Sequence, residues 1–122
     1  MITSRYNKHL KILETQYKGI VGLEEVLNYA IDIEKNIDYP RKLKILINAV
    51  DVKMNLSVND LEIVKEAKTK TIKQYNSIIV AMIVNNPENA AKSMIYQIMV
   101  ANLYRYETFS TQEAAIHWLD SF

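Results

Sequence analysis

Two apolar runs, the first broken only by Lys44, constrain this chain most: Leu43-Lys44-Ile45-Leu46-Ile47 and Ile78-Ile79-Val80-Ala81-Met82-Ile83-Val84. Each is followed by a turn signal and then by a helical pattern. A strand that is apolar on both faces has to be covered on both faces, which is the situation of inner strands in an α/β sheet. The runs predict neighbouring parallel strands over 43–50 and 77–84, shielded by helices. They carry no catalytic motif.

The remaining elements follow from period and caps. Ile2 to Tyr6 and Leu10 to Tyr17 alternate apolar and polar residues around Asn7-Lys8-His9, the pattern of a hairpin with one wet face. Leu23, Val26, Leu27, Ala30 and Ile33 recur at helical spacing over 23–36, with Glu24 and Glu25 at the dipole-favoured start. Ser57 precedes a capping-box-like Val58-Asn59-Asp60 and a helix to about Tyr75. Its inward face is expected to be Leu61, Val64, Ala67, Thr71, Ile72 and Tyr75, with the Lys68 stem at the edge and its amine outward. Asn86 as cap and Pro87 at the first position open a third helix, expected to reach Tyr104. A short strand at 106–109 and a capping box at Ser110-Thr111-Gln112-Glu113 lead to a final helix with Ala114, Ala115, Trp118 and Phe122 inward. The expected fold is therefore α/β, ββαβαβαβα: a mixed, mainly parallel five-stranded sheet with an N-terminal hairpin and four helices, one domain over 1–122.

Composition excludes more than it assigns. With 122 residues the chain suits one core. A formal charge of +1 makes no case for nucleic acid as a partner. Cysteine is absent, which rules out disulfides, thiol catalysis and cysteine-held metals. The N-terminal stretch lacks a signal-peptide apolar region, and no apolar run reaches the roughly 18 residues of a membrane span. A cytoplasmic location is expected.

Three stretches together resemble the SpoIIAA-like superfamily, the STAS domains and their small stand-alone STAS/SEC14-like relatives. They are Leu46-Ile47-Asn48-Ala49-Val50-Asp51-Val52, Ile79-Val80-Ala81-Met82-Ile83-Val84 with its Asn-Pro helix start, and Phe109 to Leu119. The last looks like the Phe-x-x-x-x-x-Ala-x-x-Trp-Leu ending of many stand-alone members. The resemblance implies a non-enzymatic regulatory or protein-interaction module without a cofactor. Its SEC14-like side implies an alternative, a carrier of a small apolar or lipid-like ligand. Anti-sigma-factor antagonists of this fold are phosphorylated on a serine in an Asp-Ser-x-Gly-like motif. The corresponding stretch here is Met54-Asn55-Leu56-Ser57-Val58-Asn59, which keeps Ser57 but has neither the acid nor the glycine.

Candidate sites follow. Ligands of open α/β sheets bind beyond the carboxyl ends of the strands, which nominates Asp51, Asn55, Ser57, Asn85 and Asn86 for a small ligand or anion. Ordinary turn and cap chemistry explains the same residues. Ser57 could accept a phosphoryl group, since a helix N-terminus favours one. His9 and His117 have no ligand-spaced partner, so no metal site is expected. In the third helix Ala91, Met94, Ile95 and Ile98 form the expected core stripe. Tyr96, Met99, Val100 and Leu103 form a second, opposite one. A helix apolar nearly all round needs a second surface, so the second stripe is the candidate interface for a protein partner or a homodimer.

Overall fold

A computed structural model describes residues 1–122. The chain begins with the antiparallel pair β1 (Ile2–Asn7) and β2 (Ile12–Tyr17). Asn7 makes the turn: its Oδ1 accepts from the backbone N–H groups of His9 and Leu10, an Asx arrangement that costs no neighbour its own bonds. Lys11 takes a left-handed φ of 58° there, so the second strand starts at Ile12 and not at Leu10. Next come β3 (Gly19–Gly22), α1 (Leu23–Lys35), β4 (Lys42–Asn48), β5 (Val52–Asn55), α2 (Val58–Ile72), β6 (Ser77–Ile83), α3 (Pro87–Met99), β7 (Arg105–Phe109) and α4 (Gln112–Leu119).

The main sheet has the order β1-β2-β4-β6-β7. Only the β1–β2 pair is antiparallel; β2–β4, β4–β6 and β6–β7 are parallel. Both apolar runs lie in the middle of it, as their composition requires. β4 and β6 alternate between two cores. Leu43, Ile45, Ile47, Ile78, Val80 and Met82 join the larger core, which Val26, Ile33, Leu61, Val64 and Tyr96 cover from α1, α2 and α3. Leu46, Ile79, Ala81 and Ile83 join a smaller one beneath Ala115 and Leu119 of α4.

Two features are absent from the expected order. Segments 19–22 and 52–55, expected as a helix approach and a loop, pair in parallel as a second sheet, Gly19 opposite Val52 and Gly22 opposite Asn55. Gly19 permits the step out of β2, having a φ of 72° that a side chain would strain. The final helix is capped by Thr111, whose hydroxyl accepts from Ala114 N–H, so the expected Ser110–Glu113 box does not form. The helix phase shifts accordingly. Ala115 and Leu119 are fully buried, Ala114 and Phe122 are exposed, and Trp118 is half-buried between Phe109 and Phe122.

The third helix reverses the expected faces. Its inward stripe is Asn89, Ser93, Tyr96 and Val100. Tyr96 and Val100 therefore belong to the core and are not available as an interface; Met99 is half-buried against that core and Leu103 is exposed. Met94, Ile95 and Ile98, expected inside, are exposed, Ile98 at 79%. The physical reason is that two polar residues are fully bonded inside. Asn89 Nδ2 donates to Val52 O at 2.8 Å, and the Ser93 hydroxyl bonds the Tyr106 hydroxyl at 2.9 Å and that of Thr108 at 2.7 Å. The hydrogen bonds offset the desolvation of these groups, so burial does not push them outward. The helix also ends at Met99, before Tyr104, whose hydroxyl turns back to donate to Tyr96 at 2.8 Å. No glycine or proline marks that end.

Candidate functional site

The strand-end loops do come to one edge of the sheet. Gly19 N–H donates to Asp51 O at 3.2 Å, and Asn89 of α3 reaches Val52. Two of the five nominated side chains, those of Ser57 and Asn86, are occupied as helix caps. Ser57 Oγ accepts from Asp60 N–H at 3.1 Å while Asp60 Oδ2 accepts from Ser57 N–H at 2.9 Å, a complete capping box. Asn86 Oδ1 accepts from Asn89 N–H as the cap of α3. Asp51, Asn55 and Asn85 are exposed. None of the five lines the apolar cavity beneath α2 and α3. A phosphate on Ser57 would meet the Asp60 carboxylate that now completes its cap.

The cavity lies instead between the sheet and the helices above it. Ile47, Val80 and Met82 form its floor, Leu61 and Val64 line it from α2, and Tyr96 from α3. It measures about 50 Å³, room for about three waters. Fourteen of its 18 lining residues are hydrophobic. All of them are buried except Met54, Lys92 and Tyr104, which are half-exposed and make the rim.

Lys68 is one of the lining residues. It is 9% exposed, and its Nζ lies 5.0 Å from the centre of the Tyr29 ring, within cation–π range. The expectation of an outward amine is thus corrected. The α2 face that packs on α1 carries Lys68 in line with Leu61, Val64 and Thr71, and the Tyr29 ring of α1 stands opposite its amine. No carboxylate lies within ion-pair distance of it. Burial alone pushes the amine down to about 8, since a low-dielectric setting disfavours the charged form. Burial likewise raises the hydroxyls of Tyr17, Tyr96, Tyr104 and Tyr106 around the cavity, keeping them neutral. The sequence signal for this site was faint: a single lysine falling on an inward helical face.

The fold can now be compared with known ones. A solved structure matches along nearly the whole chain: an uncharacterised protein of the DUF3478 family from Shewanella loihica PV-4. The TM-score is 0.62 at 16% identity, covering 98% of this chain and 92% of that one. That protein is described as having a SpoIIAA-like fold. The fold of this chain is SpoIIAA-like. The SpoIIAA-like resemblance of the three sequence stretches therefore holds at the level of architecture. No protein-family model matches the chain, and no curated protein matches it. In this SpoIIAA-like molecule no helix is long and apolar enough to cross a membrane.

Proposed function

We propose that this SpoIIAA-like, STAS-like module works by binding and not by catalysis, and that its ligand is a small apolar molecule held in the cavity under α2 and α3. The observation that carries this reading is the cavity itself: largely hydrophobic walls, a rim of movable side chains, and a buried lysine in the lining. Small-molecule sites are concave and mostly apolar, with few polar groups to orient the ligand. Met54 and Lys92 at the rim are long, flexible side chains, so the space can widen for a guest larger than its resting 50 Å³. Native mass spectrometry of freshly purified protein tests this. The expected result is added small-molecule mass that is lost on solvent extraction; protein that never carries or takes up such mass overturns the reading.

A second reading, a module that acts by protein contact, has its own support in the outward side of α3. Met94 at 57% and Ile98 at 79% exposure present apolar surface to solvent, next to Ile95 and about one turn long. Sedimentation at rising concentration tests self-association through this face. A monomer at every concentration, unchanged by Ile98→Lys, counts against the homodimer form of that reading.

A further inference from the structure

The polar groups around the cavity can be followed one by one. Asn89 is spent on Val52 O and Met54 N–H. Ser93 is spent on Tyr106 and Thr108, and Tyr104 donates to Tyr96. Lys92 Nζ donates to Met54 O at 2.6 Å and pairs with Glu88 at 3.4 Å. Two groups remain without a protein partner: the Lys68 amine and the Tyr17 hydroxyl. Both residues line the cavity, and neither group is among the fully enclosed polar atoms, all of which have a partner. Both also abut the same ring, Tyr29, Lys68 Nζ at 5.0 Å and the Tyr17 ring at 6.2 Å between centroids.

The geometry points to a carboxylate as the polar end of the ligand, held by the Lys68 ammonium and the Tyr17 hydroxyl; this rests on reading the cavity as the ligand site. An ammonium has three donors and no acceptor, and a phenol has one donor to give. Their common complement is an oxygen with several lone pairs. Charge selects among such oxygens. The cavity holds one uncompensated cation; Lys92 at its rim pairs with Glu88, which stands outside the lining. One negative charge would neutralise the site, whereas a neutral alcohol or ketone would leave the buried ammonium unpaired. A phosphate dianion would bring a second charge against hydrophobic walls with no second free cation to meet it. The class that fits both the walls and the two free donors is a small aliphatic or aromatic carboxylic acid in its ionised form.

Hexanoate and 1-hexanol, alike in chain and different in head group, separate the two claims in parallel NMR titrations. The expected result is that both perturb the amides of Val64, Met82 and Ser93, hexanoate binding about tenfold or more tightly than the alcohol, as a charge-assisted hydrogen bond gives. Lys68→Met should remove that preference while 1-hexanol still binds. Tyr17→Phe, which deletes only a hydroxyl, should weaken hexanoate by a few-fold. Equal affinity for acid and alcohol in the parent protein, or a preference that survives Lys68→Met, overturns the carboxylate and leaves the apolar site standing. Failure of both probes to perturb the cavity amides overturns the site, and the carboxylate falls with it.

Discussion

Lys68 is a charge held against hydrophobic walls with no counter-ion, and its cost depends on pH in a definite direction. Burial brings the amine from about 10.5 down to about 8. Between those values the unfolded chain binds more protons than the native one, so the cost is full below pH 8 and fades as pH rises toward 10.5. Lys68→Met should therefore be more stable than the parent at pH 7, by up to about 3 kcal/mol, with the difference narrowing by pH 10. Urea unfolding of the two proteins at each pH measures it. The charged and titratable groups around the amine are Tyr29 on α1, Lys92 on α3, and Tyr17, Tyr96, Tyr104 and Tyr106. The tyrosine hydroxyls are raised by burial and lower stability above pH 10 in both proteins, so the comparison cancels them. Asn89 shows the opposite case, a buried polar group fully paired. Asn89→Ala should cost about 1–3 kcal/mol, because Val52 O is left without its donor. Ser57→Ala should cost about 1 kcal/mol, the worth of an N-cap, read from the same unfolding curves.

Helix α3 illustrates how a correct element can be oriented wrongly. Its start was legible because Asn86-Pro87 states its own geometry: the asparagine caps and the proline has no N–H to lose. Its inward face was not. Two apolar stripes competed, and the one holding Asn89 and Ser93 won because strands β5 and β7 supply partners for both. The consequence is measurable. Met94→Gln and Ile98→Lys should leave stability within about 0.5 kcal/mol, since both side chains already face solvent. Val100→Ala, in the core and fully buried, should cost about 1–3 kcal/mol. The reverse ranking would return α3 to the face that periodicity alone suggested. The pair β3–β5 escaped notice for a related reason. Four residues each, with partners across more than thirty positions, they are too short to show a period and gain their bonds only from each other.

The molecule as a whole is a sheet with unequal covers. Three helices close one side, and the eight residues of α4 close the other over Leu46, Ile79, Ala81 and Ile83. A chain shortened after Ser110 should expose that second core and aggregate, as bare apolar sheet faces do; light scattering and thermal melting check this, and a soluble, cooperatively melting product would refute it. The architecture was open to reading from residues alone because an apolar run on both faces of a strand has one stable solution, burial between layers. The positions of the two runs, the caps of α2 and α3, and the alternation of main-sheet strands with helices follow from that local physics. The cavity, the inward turn of the Lys68 amine and the true inner face of α3 do not. They depend on which distant group stands opposite: Val52 for Asn89, 37 residues away, and Tyr29 for Lys68. A polar side chain goes inside wherever a partner or a void waits for it, and only the assembled layers establish where those are.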